Sequence, residues 1–128
     1  MCGIIGQINR NKPVNKYLFE QMRDTLIHRG PDGYGLYFSE DHKTALGHRR
    51  LSLIDLSSSG TQPIHNENKT IWLTVNGEIY NYKDLRDQLI SLGHSFYTHT
   101  DSEVILHAYE EWGVDFLYRL KGMFALGI

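Results

Sequence analysis

The residues of this chain that could do chemistry are few and far apart. Its single cysteine is Cys2, directly behind the initiator methionine in "MCGIIG". A free cysteine is most often a small buried hydrophobe. A lipidated cysteine needs an apolar leader before it, and one Met is no leader. If Met1 is removed, Cys2 becomes the first residue and carries a thiol and a free α-amino group together, the equipment of a nucleophile. Position alone leaves the structural and the nucleophilic readings both standing.

Three polar stretches could complete a site around such a thiol. In "HRRLSLID" (His48 to Asp55), Arg50 stands among apolar residues. It is either an edge arginine covering a sheet or a guanidinium fork that binds a carboxylate bidentately. In "VNGEIYNY", Asn76 and Gly77 follow an apolar run and would suit a hairpin turn. What comes next reads as a helix, however, so the pair could instead stand at the mouth of a sheet. An asparagine amide and a glycine N–H are both oxyanion donors, and the Glu78 carboxylate follows beside them. In "HTDSEV", Asp101 falls in the first turn of an expected helix, where its charge suits the dipole; that explanation needs no ligand. His28, His42, His48, His65, His94, His99 and His107 show no paired ligand spacing, and with one thiol no metal site is expected. A phosphate loop, a dinucleotide fingerprint and a serine nucleophile elbow are all missing.

The elements that must position these groups alternate irregularly between strand and helix patterns. "CGIIGQIN" reads as a buried strand with close backbone neighbours. From Asn15 to Ile27, Leu18, Met22 and Leu26 recur at helical spacing with Phe19 beside them, and Asn15 suits the cap. "HRGPDGYG" stops that helix. "LYFS" and "TALGHRRLSLID" read as a strand pair joined by a polar turn, and Leu56 to Lys69 as a long polar loop of the kind that often carries function. "TIWLTVNG" is a strand. "NYKDLRDQLISLG" is a helix with Tyr82, Leu85, Leu89 and Leu92 on one face and Gly93 as its stop. In "THTDSEVILHAYEEWG", Thr100 and Glu103 predict a capping box for a third helix with Val104, Ala108 and Trp112 on one stripe. A short helical turn, "VDFLYRLKG", and an apolar strand, "MFALGI", close the chain. Segregated helices and strands point to an α+β fold, and an ending inside a strand suggests a cut chain.

Composition narrows the classes. The chain has 128 residues, 41% hydrophobic and 22% charged, with a formal net charge of -2. That suits one domain with a real core. No basic block points to nucleic acid or a membrane surface, no apolar run could span a bilayer, and no signal peptide is visible. A lone cysteine cannot form an internal disulfide, so a cytoplasmic setting is expected.

"MCGIIG", "RGPDGYG", "HRRLSLIDLSSSGTQP", "NGEIYNY" and "TDSEVI", in this order and spacing, resemble the glutaminase domain of glutamine-dependent asparagine synthetases. These are class II amidotransferases, within the N-terminal-nucleophile hydrolases. The likeness covers essentially the whole chain. The "RLS.ID" and "NGEIYN" stretches separate this branch from the glutaminase domains of glucosamine-phosphate synthase, amidophosphoribosyltransferase and glutamate synthase. The resemblance implies an αββα sandwich of two antiparallel sheets between helices, truncated here at its C-terminus: residues 1–128 would be the N-terminal portion of the amidotransferase domain.

The resemblance also implies roles. Cys2 would be the nucleophile, with its own α-amine as base; the amine and the thiol ordinarily titrate near about 8 and about 8.5, so the first can deprotonate the second. Asn76 and Gly77 would form the oxyanion hole. Arg50 would bind the α-carboxylate of glutamine, the backbone of Arg50, Leu51, Ser52, Leu53 and Ile54 would line the pocket, and Glu78 and Asp101 would face the α-ammonium. No cofactor is expected in this domain. ATP and magnesium would belong to a C-terminal synthetase domain of the same protein, which would receive the ammonia and amidate aspartate. A homo-oligomer is left open. Two alternatives remain at this stage: the same glutaminase serving another carboxylate acceptor, and a glutamine-binding module that does not hydrolyse because Met1 is retained.

Overall fold

The computed structural model describes residues 2–52 and 60–128. Strand β1 (Gly3–Ile8) leads to helix α1 (Lys16–Asp24), then to β2 (Gly33–Phe38) and β3 (Thr44–Arg50). These three strands form one antiparallel sheet in the order β1-β3-β2. After the residues outside the description come β4 (Ile64–His65), β5 (Trp72–Ile79), helices α2 (Tyr82–Ser91) and α3 (Glu103–Trp112), a 3₁₀ segment (Gly113–Arg119) and β6 (Gly122–Gly127). The second antiparallel sheet has the order β4-β5-β6.

Strand alternation explains how the layers stack, because successive side chains point to opposite faces. On β3, Ala45 faces α1 in a cluster with Val14 and Phe19, while Leu46, His48 and Arg50 take the other face. On β5, Leu73, Val75 and Ile79 join Leu85, Leu89 and Val104 to Leu106 of the helices. Trp72, Thr74, Asn76 and Glu78 therefore turn toward the first sheet, and Trp72 stacks on Tyr37 of β2 with ring centroids 4.2 Å apart. The order of layers is α1, first sheet, second sheet, then α2 with α3. This is the expected αββα arrangement, and among the described residues no helix is long and apolar enough to cross a membrane.

Several local expectations change. Asn15 does cap α1, its side chain accepting from the Leu18 N–H at 2.9 Å. The buried face of α1 is not the Leu18–Met22–Leu26 stripe, since Leu18 is 56% and Met22 40% exposed while Phe19 is fully buried. Phe19 sets the rotation of the helix by packing edge-on against Phe38, and Arg23 is buried beneath it with its guanidinium over the Tyr34 ring. The Thr100–Glu103 capping box does not form. The Glu103 carboxylate instead accepts from the Tyr97 and Thr98 N–H groups at 2.8 and 2.7 Å and from the Thr98 hydroxyl at 2.6 Å. Those bonds tie the preceding segment to α3, an outcome that local spacing cannot foresee.

Candidate active site

One end of the sandwich brings together the start of β1, the end of β3, the end of β5 and the start of β6. A cavity of about 330 Å³ opens there between the sheets. Cys2, Arg50, Leu51 and Ser52 line it from the first sheet, and Asn76, Gly77, Glu78 and Asp101 from the second. Every expected site residue that is described therefore meets in one place. Leu53, Ile54 and Met1 lie outside the described residues, so the pocket lining by the first two and the state of the Cys2 amine are not addressed by the geometry.

The Cys2 sulfur is held against the backbone just after β3: the Leu51 N–H donates to Sγ at 3.4 Å, and the thiol lies 3.7 Å from the Leu51 carbonyl. Arg29 Nε donates to the Cys2 carbonyl at 3.2 Å. Asp32 accepts from the Ser52 N–H at 2.8 Å, and the Asp32 N–H donates to the Arg50 carbonyl at 3.0 Å. The "RGPDG" turn, readable in the sequence only as a helix stop and a motif, thus braces both Cys2 and the Arg50–Ser52 segment. The Arg50 guanidinium lies against Gly60, where an added Cβ would come within 2.8 Å of Nη2. Glycine at that position makes room for the fork.

Asn76 and Gly77 are not a hairpin turn. Both belong to β5, which runs on to Ile79 and pairs with β6, Asn76 opposite Ala125 and Gly77 opposite Phe124. At Gly77 a Cβ would collide with the Met123 carbonyl oxygen. The glycine is therefore required by the neighbouring strand, a constraint separate from any substrate. The Asn76 Oδ1 is buried and has no hydrogen-bond partner among the described residues.

Asp101 is buried, and its Oδ2 accepts from the Ile79 N–H at 2.8 Å, which fastens the start of α3 to the end of β5. Burial raises its pKa, the Ile79 N–H opposes this, and the Glu78 charge raises it further. Two carboxylates side by side, one of them desolvated, form an anionic wall that a cation would relieve.

His48 also lines the cavity, although its spacing to the other histidines marks it as no ligand. Its signal was available: two residues before Arg50 in a strand, it must share Arg50's face. It is 1% exposed, and neither ring nitrogen makes a hydrogen bond of ordinary geometry. Burial lowers its pKa to about 4; the backbone of Val75 works weakly against that and the Arg50 charge with it. The imidazole is therefore neutral at physiological pH. Gln62 was missed as well, and nothing local announces it. Its Oε1 accepts from the Val75 N–H at 2.6 Å and its Nε2 lies 3.4 Å from Ser102 Oγ, so it seals the cavity floor.

Two stacked three-stranded antiparallel sheets between helices, with Cys2 leading into the first strand at one end of the cavity, are the frame of this site. A profile of the glutamine amidotransferase domain family matches residues 1–128, and the chain belongs to that family. It is 46% identical over 128 residues to the probable glutamine-hydrolysing asparagine synthetase of Dictyostelium discoideum, covering 98% of this chain and 22% of that protein. It is 49% identical over 128 residues to glutamine-hydrolysing asparagine synthetase 2 of Arabidopsis thaliana, with 98% and 21% covered. Amidase chry2 of Gibberella zeae is 40% identical over 136 residues, with 98% and 20% covered. The chain thus spans about a fifth of the length of these relatives. Among solved structures, glutamine phosphoribosylpyrophosphate amidotransferase from B. subtilis, complexed with ADP and GMP, shares the fold with a TM-score of 0.78 at 22% identity, over 96% of this chain and 34% of that one.

Proposed function

We propose that this chain hydrolyses glutamine to glutamate and ammonia through a thioester on Cys2, and that the ammonia passes to a separate ATP- and magnesium-dependent synthetase domain that amidates aspartate. The observation that carries this reading is the convergence of a thiol, a guanidinium, an amide and two carboxylates on one cavity.

With Met1 removed, the Cys2 amine takes the thiol proton. The thiolate attacks the side-chain carbonyl carbon of glutamine. The oxyanion is stabilised by the Asn76 amide N–H and the Gly77 N–H, in a setting drier than water. The tetrahedral intermediate collapses with protonation of the leaving nitrogen, and ammonia departs. Water then attacks the thioester, the oxyanion forms again, and glutamate leaves with the thiol restored. Arg50 holds the α-carboxylate through its fork, and Asp101 with Glu78 holds the α-ammonium. For Asn76 to offer its N–H to the substrate, its Oδ1 must find a donor elsewhere. His48, neutral and in the same cavity, has a ring N–H to give through one water.

The similarity to amidase chry2 favours a second reading of the acceptor alone: the same glutaminase feeding ammonia to a carboxylate other than aspartate. The test of the main reading uses the full-length protein with its N-terminus verified by intact mass. Processed protein releases glutamate from glutamine, and Cys2→Ala loses this by about 10⁴-fold or more. Protein retaining Met1 binds glutamine without turnover. Equal turnover by Cys2→Ala overturns the reading.

A further inference from the structure

Away from the cavity, on the far side of the second sheet, a second set of side chains converges. His94 follows the end of α2, and His107 and Glu110 sit three residues apart on α3. One ligand atom from each of the three lies within 4.8 Å of the others. His107 Nδ1 lies 2.8 Å and His94 Nδ1 3.6 Å from the same oxygen, Glu110 Oε2. These separations bracket the ~3.3 Å edge of a tetrahedron with bonds of about 2.0 Å to nitrogen and oxygen.

The opposite ends of the same three side chains are all engaged. His107 Nε2 lies 3.4 Å from the fully buried Glu103 carboxylate. His94 Nε2 lies 3.1 Å from Glu111. Glu110 Oε1 accepts from Asn66 Nδ2 at 2.8 Å. Metal-binding histidines and carboxylates characteristically have their remaining polar atom held in this way, which fixes the ring orientation and raises ligand basicity. His107 is fully buried, while the side chains of His94 and Glu110 are 16% and 21% exposed, so an ion has a path in.

We propose that His94, His107 and Glu110 form a binding site for a zinc-class divalent ion that staples the end of α2 to α3. Two imidazoles and one carboxylate suit zinc and its borderline neighbours, whereas magnesium and calcium prefer all-oxygen sets. Water completes the coordination. In the sequence these histidines show no paired spacing. The fold makes the site by turning the chain back after Gly93, whose positive φ of 101° allows the reversal. A metal here would brace α3, whose leading segment carries Asp101, and would take no part in the chemistry of the cavity.

The experiment titrates zinc chloride into metal-stripped full-length protein, with magnesium chloride as control, and reads thermal melting and bound metal by mass spectrometry. His94→Ala and Glu110→Gln are run alongside, both at partly exposed positions that spare the buried His107. The proposal expects zinc, and not magnesium, to raise the melting temperature of the wild type, with loss of one bound zinc per chain in each variant. Crystals soaked in zinc should show an anomalous peak between His94, His107 and Glu110. No zinc-dependent shift, unchanged zinc content in both variants, or an anomalous map without that peak would overturn it.

Discussion

The two walls of the cavity are built differently. On the first sheet, Cys2 and the Arg50–Ser52 segment are pinned by hydrogen bonds to the Leu51 N–H and from the Arg29–Asp32 turn. On the second, Asn76 Oδ1 has no partner among the described residues, and Asp101 is a desolvated carboxylate next to a like charge. The Cys2 side has its hydrogen bonds in place without a ligand. The Asn76 and Asp101 side is electrostatically unfinished, and under the proposed function glutamine would finish it. Under the proposed function, substitutions on the second wall should therefore act on the developing oxyanion and the ammonium group, and those on the first wall on the thiol and the α-carboxylate.

The largest effect is expected where charge develops. Asn76→Ala should lower kcat about 10²–10³-fold with KM nearly unchanged, because the donor matters in the transition state. A rise in KM at constant kcat would place Asn76 in ground-state binding instead.

His48 lies between the walls, and its effect is on stability. Its folded pKa of about 4 is below the ordinary 6.5, so the neutral ring's contribution is present above about 6.5 and is lost as pH falls toward 4. The loss amounts to about 3 kcal/mol. Denaturant unfolding across that window should show the slope, and His48→Gln, which cannot titrate, should flatten it. A variant with the same acid slope would remove His48 from the explanation.

On the first wall, Arg50→Lys keeps the charge and loses the fork. Glutamine kcat/KM should fall roughly 10–100-fold through KM, in line with one charge-assisted hydrogen bond. The smallest effect belongs to Asp101. Its raised pKa means that the carboxylate needed for the ammonium group is lost at a higher pH than usual as the solution is acidified. The KM for glutamine should rise a few-fold on acidification in the wild type and be high and flat with pH in Asp101→Asn.

Much of this site was legible because its residues are fixed by strand alternation and by motifs. Arg50 and His48 share a face by parity, and Cys2, Asn76 and Asp101 sit in stretches whose combination resembles one family. What was not legible depends on contacts between distant segments. β5 continues past Asn76 and Gly77 because β6 pairs with it, about fifty residues later in the chain. Phe19 rather than Leu18 and Met22 turns inward because Phe38 waits on β2. Glu103 leaves the predicted cap and accepts instead from the Tyr97 and Thr98 N–H groups of the segment that precedes α3. His107 and Glu110 are a local pair on α3, but His94 has no local signature and meets them only after the α2–α3 reversal.

If Cys2 is the nucleophile, it must form a covalent intermediate with glutamine in the cavity it lines. The direct measurement is a rapid acid quench of processed full-length protein during turnover of glutamine, followed by peptide mass mapping. A glutamyl thioester is expected on the peptide that begins with Cys2, one that accumulates within a turnover and decays as glutamate appears. Steady glutamate release with no adduct on that peptide, or an adduct on another residue, would contradict it.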